Sequence, residues 1–265
     1  MLTKTIVAKN TRSPLPTTPP TIPPGGNCAI VSGVSGGHNL EDTNTCGLTD
    51  SSDLPTTNPG LGSFVDSVAP GKGHFPLLAG SKAIDNAGIV KVDKGDPHCN
   101  ASPVVPSTDQ LGNPSPVDGN GDGVRVCDIG AVEFYPNVND SVKLDSVKGT
   151  FFPPGAGGGP ILPYAPAGTY LVSAAFTNIS TRNICNVAFE VVELTAPNVL
   201  LDPRGKLVGG VGTIANHPIA SPERHLLSNQ VGRFSFNIGL GILNEFRFFV
   251  NMLGDPSNGS CPASP

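Results

Sequence analysis

Glycine and proline interrupt this chain more often than helices tolerate. There are 33 Gly and 28 Pro among 265 residues, nearly twice the share of an average globular protein. Glycine loses the most backbone freedom on entering a helix. Proline lacks the N–H and clashes with the preceding turn. No helical apolar period holds for more than two turns anywhere in the chain. A mostly helical fold is therefore excluded. Disorder is excluded too, because 38% hydrophobic residues with a net charge of −5 can build a core. What remains is turn-rich, all-β structure.

The chain has two textures. In the first half, Leu2 to Ala8 reads as one strand and residues 11–26 as a Pro/Thr-rich loop. Short apolar pieces follow, such as 28–31, 60–65, 75–78 and 83–85, separated by Gly, Asn, Asp and Pro. Residues 136–160 read as a linker holding one candidate strand. Beyond 160 the alternation becomes clean. Gly168–Asn178 places Tyr170, Val172, Ala174 and Phe176 on one face. Val187–Leu194 places Val187, Phe189, Val191 and Glu193 together. Val231–Leu240 alternates Phe234, Phe236, Ile238 and Leu240, and Glu245–Leu253 alternates Phe246, Phe248 and Val250. A period of two in aromatic and β-branched residues predicts half-buried antiparallel strands, here an immunoglobulin-like β-sandwich. The phenylalanines therefore read as core, not as a binding platform.

With 16 Lys+Arg against 21 Asp+Glu, the chain offers no basic field for nucleic acid. No stretch of 18 apolar residues exists, so no membrane-spanning segment is expected. The cysteines are Cys28, Cys46, Cys99, Cys127, Cys185 and Cys261, an even number with no zinc-ligand spacing. Six cysteines allow 15 pairings, of which the sequential one is simplest. Disulfides imply export, yet the first residues do not read as a signal peptide and no anchor follows. A fragment of a longer exported protein reconciles the two.

Several phrases then fall into a recognisable order. Ser35-Gly36-Gly37-His38-Asn39-Leu40 precedes Cys46 and Asn58-Pro59-Gly60-Leu61-Gly62. Ser81-Lys82-Ala83-Ile84-Asp85, Thr108-Asp109-Gln110-Leu111-Gly112 and Cys127-Asp128-Ile129-Gly130-Ala131-Val132-Glu133 follow. This order resembles the C-terminal end of bacterial choice-of-anchor Q proteins. The opening Thr5-Ile6-Val7-Ala8-Lys9-Asn10 is similar to a last rung of that family. Lys82 and Leu111 depart from the family's Pro and Arg. The resemblance covers roughly residues 1–135 and implies the final rungs and cap of a right-handed parallel β-helix of pectin-lyase-like type. Together with the change of texture, it divides the chain into a β-helix end and disulfide-stapled cap at 1–136, a Pro/Gly-rich linker at 137–160, a β-sandwich at 161–255 and a tail at 256–265.

Asp118-Gly119-Asn120-Gly121-Asp122-Gly123 is the strongest local motif. Oxygens at alternate positions of a Gly-rich turn can converge on calcium, with the Val124 carbonyl next in line and Asp128 as a further carboxylate. Ile129 stands where an EF-hand would need Glu, so the competing reading is a solvated Asn-Gly/Asp-Gly turn. Asp85, Asp109, Asp128 and Glu133 could pair as glycosidase acid and base, but they read first as acceptors for tight-turn amides. No Arg or Lys cluster accompanies them for lyase chemistry. His38, His74, His98, His217 and His225 form no metal motif and read as surface-loop residues. Gly155–Gly159 reads as a flexible linker. Asn100, Asn139, Asn178 and Asn258 begin N-x-S/T triplets.

The expected function is a non-catalytic extracellular or cell-surface structural or adhesion protein. Its candidate partners are a surface polysaccharide or another surface protein. The competing expectation is a fragment of a β-helix polysaccharide lyase or glycoside hydrolase whose catalytic rungs lie upstream.

Overall fold

The computed structural model describes residues 1–10, 27–28, 34–66, 71–88, 90–91, 97–99, 108–156, 161–215 and 225–261. Residues 11–26, Asn100, His217, the His98 side chain and most of the Gly155–Gly159 run, all discussed above, lie outside the described part. The fold is all-β. Among the described residues there is no α-helix, and a short 3-10 segment spans Asn139–Ser141. Among the described residues no helix is long and apolar enough to cross a membrane. The chain divides into two compact units: Met1–Ser63 with Pro76–Phe134, and Phe64–Phe75 with Tyr135–Pro265.

Unit 1 has little regular strand. β1 (Ile6–Val7) pairs in parallel with β2 (Leu40–Glu41). Leu2 bridges Ser35 and Leu40 bridges Leu54, both also parallel. Ile6, Leu40 and Leu54 thus form a ladder three chain segments deep. β3 (Val90–Lys91) and β4 (Pro97–His98) form a two-stranded antiparallel pair. The predicted strand from Leu2 to Ala8 is confined to β1 plus a bridge at Leu2. Lys4, at φ 52°, breaks it between them. A small core of Leu40, Leu77, Ala83, Ile84, Ala87, Cys127 and Ile129 lies within. Disulfides Cys28–Cys46 and Cys99–Cys127 staple the loops around it.

Unit 2 is built from two antiparallel sheets. β5 (Val142–Phe152), β6 (Thr169–Asn178), β8 (Val199–Leu201), β9 (Leu207–Gly209) and β11 (Val231–Gly239) form one, in the order β5-β6-β11-β8-β9. β7 (Asn183–Leu194), β10 (Ile214–Ala215) and β12 (Phe248–Ser257) form the other, in the order β10-β7-β12. Residues 142–152, expected within a linker, are an 11-residue strand of the larger sheet. Their alternation is masked because so few of them are buried.

The inward residues of both sheets share one aromatic core. Phe189 of β7 meets Phe234 and Phe236 of β11 at 4.7 and 5.0 Å, edge to face. Phe248 of β12 reaches Phe236 at 5.3 Å. Such pairs add about 0.5–1.5 kcal/mol each beyond the area they bury. One face assignment changes. Glu193 was expected on the Phe189 face, but Leu194 is the residue in the core. The pairing slips between Phe249↔Glu193 and Val250↔Val191. Val192 is left over as a bulge, which flips every residue beyond it.

Candidate functional site

The acids singled out in the sequence gather in unit 1, in and beneath the Asp118–Val124 loop. The Asp118 carboxylate is the hub of that loop. Its Oδ1 accepts from the amides of Gly121 (2.7 Å) and Asp122 (3.1 Å), and its Oδ2 from Gly123 (2.8 Å). Asn120 Oδ1 accepts from Asp122 N, and Asp122 Oδ1 from Val124 N. Gly121 and Gly123 have φ of 80° and 91°, a conformation that glycine alone adopts cheaply. Asp85 holds the loop from outside, accepting from Gly119 N at 3.3 Å and Asn120 N at 2.7 Å. The loop is wound by side chain-to-backbone bonds, as Asx turns are.

Beneath it lies a second layer of carboxyls. Asp128 is 4% exposed. Its Oδ1 accepts from Asp85 N at 2.8 Å and its Oδ2 from Phe134 N. Glu133, 6% exposed, accepts from Asp128 N through Oε1 at 3.3 Å. Its Oε2 is buried with no hydrogen-bond partner. Glu133 N in turn donates to Asp109 Oδ2 at 3.3 Å. The Lys4 ammonium feels the charge of Glu133. Its Nζ stands 3.5 Å from the Cys99 carbonyl.

Burial dominates the electrostatics of this layer. It raises the Asp128 carboxyl to about 7, against the pull of amide bonds and with help from neighbouring Asp85 and Asp109. Burial and then the Asp128 charge raise Glu133 well above its ordinary value. Burial also raises Asp109 and Asp85. Lys4 is lowered, chiefly by its own burial. Asp128 therefore titrates near neutral pH, and burial shifts its neighbours in the same direction. A glycosidase pair must reach a sugar from both sides of the scissile bond. Asp128 and Glu133 instead face inward and hold backbone amides.

Two further buried carboxylates of unit 1 carry no sequence motif. Glu41 is fully buried and accepts from Thr45 N (2.8 Å), Thr45 Oγ1 (2.6 Å), Thr43 Oγ1 (2.8 Å) and Cys46 N (3.0 Å). Burial pushes it up, but these bonds outweigh burial and hold it below the ordinary range. Asp53 behaves likewise, tying Ser35 Oγ (2.6 Å) and Asn39 N (3.0 Å) to Asp50 N (3.0 Å). Only the threonines at Thr43 and Thr45, two and four residues past Glu41, could have hinted at the first network.

For metals, two groups among the described residues bring three ligand atoms within 4.8 Å of one another: Cys185, His225, Cys261 and Cys99, Cys127, Glu133. The thiols of both are consumed in disulfides Cys185–Cys261 and Cys99–Cys127. Asp118, Asp122 and Asp128 do not form such a group. The histidines are not uniformly on the surface. His74 and His225 are each 6% exposed. His74 Nδ1 lies 2.9 Å from Lys72 O, and His225 Nδ1 accepts from Asn186 N at 3.3 Å. Of the N-x-S/T triplets, Asn178 is fully buried and bonds the Arg182 and Leu226 carbonyls, so it cannot carry a glycan once folded. Comparison with models of known families, with curated proteins and with solved structures finds no match for this chain.

Proposed function

We propose that this chain is part of a non-catalytic extracellular or cell-surface protein, a rigid β-helix end carrying an immunoglobulin-like interaction module. One observation carries the reading. The acids of unit 1 that could have paired as a glycosidase acid and base are spent on backbone amides inside a disulfide-stapled turn scaffold. Three disulfides support export, since cytosolic thiols are kept reduced. The parallel ladder Ile6–Leu40–Leu54 supports the β-helix assignment and the choice-of-anchor Q resemblance. In unit 2, the order β5-β6-β11-β8 opposite β7-β12 supports the immunoglobulin-like plan, which runs A-B-E-D against C-F-G.

Within this reading, calcium at Asp118, Asn120, Asp122 and the Val124 carbonyl would stiffen the loop. Asp128 could join only by releasing its amides. A calcium titration followed by amide shifts of residues 118–124 tests that role. Saturable shifts at millimolar calcium are expected, and their absence removes it. The main reading is tested by protease shaving of intact source cells, together with assays on uronic-acid and neutral polysaccharides. Release of peptides from this chain without substrate turnover is expected. Turnover that is lost on changing upstream residues would make the protein a β-helix lyase or hydrolase instead.

A further inference from the structure

Unit 2 is an uneven sandwich, with five strands in one sheet and three in the other. The excess is at β5. Its register with β6 sets Leu144 beside Phe176, Val147 beside Ala174 and Phe151 beside Tyr170. Directly paired residues of antiparallel strands share a face, and Phe176 and Tyr170 pack against the core. Leu144, Val147 and Phe151 therefore point to the side that the other strands bury. They remain 51, 55 and 40% exposed. Gly149, on the same face, makes room for the Tyr170 ring, since a Cβ there would sit 2.2 Å from the Tyr170 hydroxyl.

The smaller sheet ends in an edge that is only partly paired. Residues 136–138 run beside β12 at one end: Val138 N donates to Met252 O at 2.9 Å and Gly254 N to Pro136 O at 3.0 Å. There Val138 is 3% exposed and belongs to the core. The chain then leaves β12 at Asn139–Ser141 to begin β5 in the other sheet. Outward backbone groups alternate along a strand, so those of Val250 and Phe248 continue the row begun by Gly254 and Met252. Among the described residues no segment pairs with this half of the β12 edge. The exposure of β5 starts at Leu144, just past the point where the chain leaves β12.

We propose that this gap docks an extended segment of another polypeptide, apolar at alternate positions. The segment pairs with Phe248–Asn251 of β12 in line with residues 136–138, and its side chains cover Leu144, Val147 and Phe151. Strand addition of this kind draws its affinity from main-chain bonds and its selectivity from alternate side chains. A second copy of this chain fits less well. Three side chains offer at most a few hundred Å², short of the ~800 Å² per partner of a stable interface. Pairing two β5 strands so that Leu144 opposes Val147 also sets Lys143 against Lys148, and opposed like charges repel. The docking surface lies wholly within unit 2 and does not depend on where the protein resides.

The test uses the full chain and a labelled peptide of four Thr-Val repeats flanked by lysines. Saturable binding by anisotropy is expected, with at least about tenfold slower exchange of the Phe248 and Val250 amides. Val147→Lys changes an exposed side chain, so it should leave the melting temperature in place and weaken binding about tenfold. A peptide N-methylated at alternate residues should weaken by as much. The proposal is overturned if the peptide fails to bind at about 1 mM, or if protection falls on β5, β9 or β10. Binding that survives both N-methylation and Val147→Lys overturns it as well, as does a concentration-dependent dimer of the peptide-free protein.

Discussion

The two units solve the same problem by opposite means. Unit 2 buries rings: Phe176, Phe189, Phe234, Phe236 and Phe248 touch one another between two sheets. Unit 1 buries carboxylates. Its largest fully buried side chains are Leu40 and Ile129, while Glu41, Asp53, Asp118, Asp128 and Glu133 are all under 9% exposed. A sheet satisfies its own backbone groups, so its interior can be apolar. A succession of tight turns leaves amides pointing inward, and each needs an acceptor. Short acidic side chains supply those acceptors. The difference shows that a core can be organised around the backbone's needs as well as around apolar area.

The largest expected effect lies in the aromatic core. Phe189→Ala should cost unit 2 about 3–5 kcal/mol, read as a lower denaturant midpoint with unit 1 amide signals unchanged. If both units melt together, the contrast between them fails. Disulfide reduction should act the other way. Cys28–Cys46 and Cys99–Cys127 are 18 and 28 residues apart, and each is worth about 3 kcal/mol in the chain-entropy picture. Mild reduction should collapse the unit 1 signals while those of unit 2 persist, even though Cys185–Cys261 is 76 residues apart. Its sheets can stand without the link.

Alkaline pH should also single out unit 1. Asp128 is raised to about 7 and Glu133 is raised as well, so the folded state holds protons that the unfolded chain releases. The Asp128 contribution is complete below the unfolded carboxyl range and is lost as pH rises through about 7. Unit 1 should lose on the order of 2–3 kcal/mol between pH 5 and 8, seen in thermal melts followed by unit 1 amides. Asp128→Asn should flatten that slope. A slope that persists in this variant would place the titration elsewhere. In acid the sign reverses, because Glu41 and Asp53 are lowered and lose their contribution when protonated. The smallest effect is expected at the loop hub. Asp118→Ala takes the acceptor from the Gly121 and Gly123 amides, while Asp122 N keeps Asn120 Oδ1, and should cost about 1–2 kcal/mol, with faster exchange at Gly121 and Gly123.

Much of unit 2 was legible in the sequence because its signal is periodic. The Phe234–Phe236–Ile238 alternation marks both the strand and its buried face, and the core contains all three. β5 was legible only as one candidate strand of unspecified bounds within residues 136–160, since a strand with no buried residue has no contrast to read. Nor was the slip at Val192, which only the pairing with β12 reveals. In unit 1 the motif Asp118–Gly123 located a turn but not the use of its oxygens. A cation loop and an amide-capping loop call for the same residues at the same spacing.

Composition alone determined that this chain is all-β and rich in turns, because Gly and Pro exclude long helices whatever their neighbours do. It also determined that six cysteines could pair. Tertiary structure decided the rest. It joined Cys99 to Cys127 and set Asp128 and Glu133 beneath that link, where desolvation raises both carboxyls. It also left the inner face of β5 uncovered. Burial and the pairing of distant strands depend on where the whole chain goes, and no local run of residues encodes either.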